Sequence, residues 1–518
     1  MEGLGFESPE AHDAYQLAVG IGERYVIKVD QPTVEDVEIF DTFDWRLLRR
    51  SLALYRQGDL LVLKNLTDGT VLTDLETSNE PGFARDLPAC ELKERLAAVI
   101  DMRALIKMAA VQQRTTPLKA LNRNGKTVAR LGYMDFLIPS DEGETKSVSQ
   151  VWLWPVRGYS RRFRDLSNHL KGDGFMASTG LDLHKKILAT AGRDPGGYSS
   201  KLYVRLSPEM RADQATQIIL RVLLQTMKLN EGGIQEDLDT EFLHDYRVAV
   251  RRTRSALALL KCVLPAEAIA RYKPEFSNLG QLTNPLRDLD VYLLKQDTYQ
   301  DMLTPPLRDH IQPLFEHLRN LRAQALRDVV ANLNSKTYRN FIRDWETFLE
   351  IPPPASSSAP DAARPILAVA KEGIYKHYRR VSKIGAELLD NPEDKRLHVL
   401  RIECKKLRYL LEFFTSLFPD EKISYLTTQL KELQDNLGDY NDLCVQIEYL
   451  LKMSEELPVK GNGSKETLLS IGYLVGRLED GKQEIRNAFA ETMQDFAAHA
   501  NKRLFRELFA SNVEGAGA

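Results

Sequence analysis

The sequence predicts an α+β domain followed by an all-α, duplicated helical bundle, and three observations predict it. Before residue 192, short stretches of β-branched and aromatic residues alternate with helical patterns. From about residue 208 the chain is amphipathic at helical period almost without a break. Within that second part, a histidine–arginine pattern and the apolar frame that follows it both occur twice.

In the first part, ERYVIKV (23–29), LALY (52–55), DLLVLKNL (59–66), VARLGYMDFLI (128–138) and SQVWLWPV (149–156) have strand length and composition. DTFDWRLLRR (41–50) and ACELKERLAAVIDMRALIKMA (89–109) read as helices. GRDPGGYSS (192–200) has the Gly, Pro and Ser content of a linker. ADQATQIILRVLLQTMKLN (212–230) opens the helical part, whose periodic segments continue to about 509. IPPPASSSAPDAARP (351–365) reads as an extended, mobile connector, and LPVKGNGSKE (457–466) as a loop between helices. The expected organisation is a front domain at 17–191 and a helical domain at 208–508. The connector 351–365 divides the latter into halves at 208–350 and 366–508.

Composition bounds the function. The chain has 518 residues, 43% apolar and 28% charged, with net charge −3, which is an ordinary globular composition. A protein that simply coats nucleic acid is more basic, so any polyanion site must be a local concentration of charge. Cys90, Cys262, Cys404 and Cys444 are scattered and form no CxxC pair, which predicts reduced thiols and neither a disulfide framework nor a zinc site. The start, MEGLGFESPEAHDAYQ, lacks the basic and apolar regions of a secretory signal, and no run of 18 apolar residues occurs. These features predict a cytoplasmic protein without a membrane span.

The repeat carries the chemistry. Its first copy is His244-x2-Arg247-x3-Arg251-Arg252-x-Arg254, and its second is His398-x2-Arg401-x3-Lys405-Lys406-x-Arg408. LGQLTNPLRDLDVYLL (279–294) follows the first as LKELQDNLGDYNDLCV (430–445) follows the second. At about 100° per residue, positions 0, +3, +7 and +10 fall within an arc of roughly 80°. His244, Arg247, Arg251 and Arg254 therefore share one face, as do His398, Arg401, Lys405 and Arg408, with Arg252 and Lys406 on the flank. Like charges at this spacing repel on an isolated helix. Aligned cations suit a polymer of phosphates, because arginine offers a planar fork of donors and lysine a compact charge. A single basic helix face is usually just solvated, but two copies with the same histidine offset point to a ligand. The histidines themselves can either donate to that ligand or brace the bundle, and no adjacent ligand set marks them as metal-binding.

This pattern resembles the CHAD family, the conserved histidine α-helical domains. The likeness rests on LHDYRVAVRRTRSALALL, LGQLTNPLRDLDV and RLHVLRIECKKLRYLLE and covers roughly residues 208 to 508. It implies a duplicated four-helix arrangement with a basic channel that binds inorganic polyphosphate. Carried over by motif, the contacts are His244, Arg247, Arg251, Arg252, Arg254, His398, Arg401, Lys405, Lys406 and Arg408. Arg287 is a weaker addition, with Gly438 opposite it in the second copy.

The front part is similar, more weakly, to the CYTH family, antiparallel barrels of the triphosphate tunnel class, through EIFDTFDWRLLRRSLALYRQGDLLVLKNL (38–66). That family holds a divalent metal on glutamates of an E-x-E-x-K strand and a later E-x-E strand, where carboxylate oxygens suit hard cations. Here Lys28 fits the lysine, but Arg24 and Val26 occupy the first pair of positions and Trp152 and Trp154 the second. Lys28, Lys64, Arg114 and Arg130 remain as candidate residual anion contacts. The resemblance thus implies a degenerate CYTH-like barrel without metal, cofactor or hydrolysis.

The leading expectation is a non-catalytic polyphosphate-binding protein associated with polyphosphate granules and their proteins. The alternatives are a CYTH-type triphosphatase with variant metal ligands, an RNA or other polyanion binder, and a protein–protein adaptor. Only Tyr246 and Tyr409 lie among the cations, so base stacking is poorly supported.

Overall fold

The computed structural model describes residues 3–7, 13–22, 25–139, 145–354, 358–389, 393–457 and 464–510. Its contacts divide the chain into two compact units, Met1–Ser200 and Lys201–Ala518, with the division at the end of the GRDPGGYSS segment.

The first unit is built on one antiparallel sheet. Its strands are β1 (Leu4–Glu7), β2 (Val26–Val29), β3 (Thr33–Thr42), β4 (Leu52–Gln57), β5 (Leu60–Asn65), β6 (Val71–Glu76), β7 (Leu105–Leu121), β8 (Thr127–Pro139), β9 (Thr145–Pro155) and β10 (Met176–Ala177). They pair in the order β10-β1-β9-β8-β7-β3-β4-β5-β6, and β2 continues the ladder on β7 beyond the start of β3. Among the described residues, β6 and β10 do not pair with each other, so the sheet is open and the expected closed barrel is not formed. Four helices cover its faces: α1 (Ala14–Gly22), α2 (Glu91–Ile100), α3 (Ser160–Gly172) and α4 (Gly180–Thr190). On one face, Leu17 and Ile21 of α1 and Phe163, Leu166 and Leu170 of α3 pack on Leu118, Leu131, Tyr133 and Leu153. On the other, Ile187 and Leu188 of α4 pack on Ile39, Ala53, Val111 and Phe136.

Two helices expected from sequence are replaced in part by strand and turn. DTFDWRLLRR begins as the end of β3 and then turns, because buried Asp41 accepts the backbone N–H groups of Thr42, Leu47 and Leu48. Only Leu48–Arg50 is helical there, as a single 3-10 turn. ACELKERLAAVIDMRALIKMA is helical to Ile100; Asp101 takes a positive φ of 54°, and β7 starts at Leu105.

The second unit is all helical. Its elements are α5 (Ala212–Gln235), α6 (Thr240–Leu259), α7 (Ala266–Leu294), α8 (Gln296–Met302), α9 (Pro305–Arg308), α10 (Gln312–Leu333) and α11 (Lys336–Glu350), then α12 (Ile366–Leu388), α13 (Asp394–Phe413), α14 (Asp420–Glu456), α15 (Ser464–Phe496) and α16 (His499–Phe509). α5 packs on α6, α6 on α7, α7 on α10 and α11 back on α5; α12, α13, α14, α15 and α16 pack in the same order. The Asp239 side chain caps α6 by accepting from the N–H groups of Glu241 and Phe242. A core of Leu289, Tyr292, Ile447, Leu450, Leu474 and their neighbours joins α7 and α14, with Tyr292 stacked on Tyr449 at 4.3 Å.

The connector 351–365 is more ordered than its composition predicts; residues 355–357 lie outside the described residues. Ala362 and Arg364 accept hydrogen bonds from the N–H groups of Asp213 and Ala212, Asp361 N–H donates to Cys262 O, and Ala359 and Ala362 are buried. The segment supplies acceptors to the otherwise unpaired first N–H groups of α5, which holds it down.

Candidate polyanion site

The two basic rows lie on α6 and α13, which pack against each other. One carboxylate clamps them. Glu412 Oε2 accepts from Arg252 Nη2 at 2.8 Å and Nε at 3.1 Å, while its Oε1 accepts from Arg408 Nε at 2.7 Å. An arginine from each copy of the motif is thereby held on the same acid, with Arg252 and Glu412 both largely buried. Neither Glu412 nor its bridging role was legible from the motif, which contains only cations.

The rest of the first row leans on α7. Buried Tyr246 and the Ala249, Val250, Thr253 and Leu257 face fix the rotation of α6. That rotation sends Arg247 Nη1 to Thr283 Oγ1 at 2.8 Å and Gly280 O at 3.3 Å, and Nη2 to Asn284 Oδ1 at 2.7 Å. The Arg254 guanidinium lies over Gly280, where an added Cβ would meet its Nη1 at 2.8 Å. Arg287 of α7 sits near Arg247 but is engaged by Thr240 O at 3.4 Å and Glu241 Oε1 at 3.7 Å. His244 is half-buried on the same helix.

The second row leans on α14 in the same manner. Exposed His398 places Nδ1 3.2 Å from Asn441 Oδ1, and Arg401 Nη2 donates to Asp442 Oδ1 at 3.4 Å. Arg408 Nη1 reaches Gln434 Oε1 at 3.3 Å. Lys406 departs from the row: its Nζ donates to Glu403 Oε1 at 2.6 Å, and the other oxygen of Glu403 lies 2.8 Å from His377 Nδ1 on α12.

The electrostatics place the two rows within reach of one another. Burial and the charges of Arg401, Arg251 and Arg408 push the Lys405 ammonium down to about 8. Arg401 is also held below the usual arginine range by burial, with Arg251 adding repulsion. Burial pushes Arg247 down to about 10, reinforced by Arg251, Arg287 and Arg254. Arg251, on the first copy, thus repels Arg247 of its own helix and Arg401 and Lys405 of the other. Among the described residues, Arg247, Arg251, Arg254 and Lys405 have no carboxylate within ion-pair distance. For Arg247 and Lys405, burial and the neighbouring cations both disfavour the charged form.

The front-unit candidates do not form one site. Ladder registers put Lys28, Lys119, Arg130 and Trp154 opposite one another on successive strands, and Lys28 and Lys119 both reach Asp30, at 3.8 and 2.6 Å. Lys64 is on β5, separated from that group by β4 and β3, and sits over the Tyr55 ring at 5.2 Å. Arg114 pairs across the ladder with Asp135, on the opposite sheet face from Arg130.

The positions matched to metal-holding glutamates do not fit a metal. Arg24, with Glu23, lies outside the described residues; Val26 is exposed. Trp152 and Trp154 stack at 6.2 Å, with Trp152 Nε1 donating to Gln150 Oε1 at 2.6 Å. An indole N–H has no lone pair to offer a hard cation. Among the described residues, no three His, Cys, Asp or Glu side chains are grouped for a metal.

The family model of the CHAD domain matches residues 218–451, from within α5 to within α14. Residues 218–451 are a CHAD domain. The family is associated with polyphosphate binding. Two Mycobacterium tuberculosis proteins, Uncharacterized protein MT2285 of strain CDC 1551 / Oshkosh and Uncharacterized protein Rv2226 of strain ATCC 25618 / H37Rv, are each 23% identical over 330 residues, 61% of this chain. The matched region spans 61% of the length of each of these relatives. The crystal structure of the CHAD domain from the plant Ricinus communis superposes with a TM-score of 0.48 at 23% identity, covering 57% of this chain and 95% of that one. PptA from Streptomyces chartreusis gives 0.44 at 15%, covering 55% and 100%. No helix among the described residues is long and apolar enough to cross a membrane.

Proposed function

We propose that the helical unit binds inorganic polyphosphate without turning it over, along one trough floored by α6 and α13. The observation that carries this reading is the Glu412 clamp, which holds Arg252 and Arg408 on one carboxylate and so ties the two copies of the motif side by side. Arg247, Arg251 and Arg254 then supply one wall, Lys405 and the Asp442-paired Arg401 the other, and the chain of phosphoryl groups supplies the counter-charge that Arg247, Arg251, Arg254 and Lys405 lack. His244 and His398 sit at the corresponding end of each row. Arg252, Arg408 and Lys406 hold the trough together through carboxylates, and Arg287 is occupied by Glu241. The matching order of α5–α11 and α12–α16 supports a duplicated bundle. The front unit is a degenerate, opened relative of the CYTH barrel that serves as a scaffold. The protein acts in the cytoplasm, on polyphosphate granules.

Binding of long-chain polyphosphate tests the reading. Five contacts predict a slope of log K against log[salt] of about −3.5. Arg251→Ala with Arg254→Ala and Lys405→Ala should cut affinity by at least tenfold and flatten that slope by about 2. Wild-type binding by a folded triple variant would sink the trough. Incubation with tripolyphosphate and Mg2+ or Mn2+ tests the non-catalytic assignment. Phosphate release that is lost on altering the sheet, and not the helices, would overturn it.

A further inference from the structure

A second basic cavity lies in the helical unit, between α12 and α16, and no residue of the motif rows lines it. Its volume is about 750 Å³. Lys376, Arg379, Arg380 and Lys383 enter it from α12, and Lys502 and Arg506 from α16. The α12 cations are spaced 0, +3, +4 and +7, which puts them on one helix face; the α16 pair is spaced four apart. The opposite face of α12, with Ile374, Tyr378 and Val381, is buried. Tyr378 stacks on Phe505 of α16 at 3.9 Å, which fixes the two walls relative to each other.

This charge is not compensated from within. The acid among the lining residues, Glu372, is bonded to Arg364. Arg380 lies 3.9 Å from Glu403, already shared with Lys406 and His377. Among the described residues, Lys376, Arg379, Lys383, Lys502 and Arg506 have no carboxylate within ion-pair distance. Like charges at +3, +4 and +7 work against the helix that carries them. The first half of the unit does not share the arrangement. Shifting α12 by the spacing between His244 and His398 sets Val222, Gln225, Thr226 and Leu229 of α5 opposite the four cations. The row is therefore a property of the second half alone and is not part of the duplicated motif.

We propose that this cavity is a separate binding site for a short oligophosphate, a compact anion of a few linked phosphoryl groups. The cavity is larger than one phosphate needs and falls within the size of ordinary ligand pockets, about 300–1,000 Å³. Guanidinium forks from two helices can take the oxygens of successive phosphoryl groups, and the lysines add point charge. A long polymer lies in an open trough; a short one is enclosed here on two sides. The proposal does not depend on the trough binding polyphosphate.

Calorimetric titration of the full chain with tripolyphosphate tests it. Three proteins are compared: wild type, a cavity variant (Lys376→Ala, Arg379→Ala, Lys383→Ala) and a trough variant (Arg251→Ala, Arg254→Ala, Lys405→Ala). Lys502→Ala with Arg506→Ala is a second cavity variant, on the other helix, should the first fail to fold. The expected result is that either cavity variant, folded by circular dichroism, loses one equivalent of bound tripolyphosphate, and that the trough variant keeps it. A folded cavity variant that binds as wild type does, or a trough variant that loses all binding, overturns the proposal. Loss in the cavity variants with no change in the trough variant supports the cavity as the site that takes tripolyphosphate, and failure of the trough itself is read separately, from the long-chain titration. ATP as competitor identifies the source of the phosphate chain: displacement from the cavity assigns it to nucleotides and failure to displace assigns it to inorganic chains, and both results keep the site.

Discussion

Lys405 offers a direct test of the trough because its proton reports on its neighbours. Burial and the charges of Arg401, Arg251 and Arg408 hold it at about 8, against an ordinary lysine value of 10.5. A bound polyanion supplies the opposite charge and drives the value back up. Binding must then take up protons at any pH between the free and bound values. If the anion restores about one and a half units, binding at pH 8.5 takes up roughly two-thirds of a proton. With the same values, affinity should be flat below about pH 7 and fall roughly 25-fold by about pH 10. Calorimetry at pH 8.5 in buffers of different ionisation enthalpy counts the protons. Lys405→Arg should bind without that uptake, because arginine stays charged throughout. The free protein has the opposite sign. A lysine whose folded value is depressed costs stability in full below about pH 8, and the cost fades as pH rises from there towards 10.5. Lys405→Met should therefore stabilise the free protein by about 1 kcal/mol at pH 7 while weakening polyphosphate binding. Proton uptake undiminished in Lys405→Met, or no uptake in wild type, would refute the proposed crowding of cations.

Further outcomes follow from the same geometry. Glu412→Gln should cost about 2–3 kcal/mol by chemical denaturation, because Arg252 and Arg408 lose their shared charge in a largely buried position; a change below about 0.5 kcal/mol would mean the clamp is ornamental. Gly280→Ala puts a methyl group 2.8 Å from Arg254 Nη1 and should lower polyphosphate affinity several-fold with little change in melting temperature. In the front unit, burial pushes His184 down to about 4, where it stays neutral beside the Tyr55 hydroxyl at 2.9 Å. That contribution is complete above pH 6.5 and is lost as pH falls from there to about 4, by about 3 kcal/mol in all. Asp41, which burial pushes up to about 6, takes a proton in the same window and offsets part of the loss. The comparison is therefore between wild type and His184→Phe, whose stability should fall less steeply between pH 6.5 and 4. Equal slopes would count against a neutral buried histidine.

The helical half was the more legible because its signal is periodic. The offsets of His244 and His398 to their arginines put those side chains on one face of each helix, and α6 and α13 carry them there. What the motif could not separate were side chains that face a ligand from side chains that face an acid. Arg252, Arg408 and Lys406 look like their neighbours in sequence, and only Glu412 and Glu403 distinguish them. The cation row of α12 is equally regular, but no second copy in the first half marks it in the sequence. In the front half, helical period in LAAVIDMRALIKM ran across the Asp101 break, because alternating and helical apolar patterns overlap over short spans. Tryptophans at 152 and 154 could be read as unfit for metal directly, since ligand chemistry belongs to the side chain and not to its surroundings.

By itself, the sequence determined the split between sheet and helices, the two basic faces and the absence of carboxylates at the matched metal positions, all of which depend on residue type and local spacing. Three-dimensional packing settles that, among the described residues, the sheet stays open, that α6 and α13 lie side by side, and which cations have no acid nearby. Those outcomes depend on pairs such as Arg252 and Glu412, 160 residues apart. A charge is strong or spent according to what packs within a few ångströms of it, and spacing along the chain carries no record of that distance.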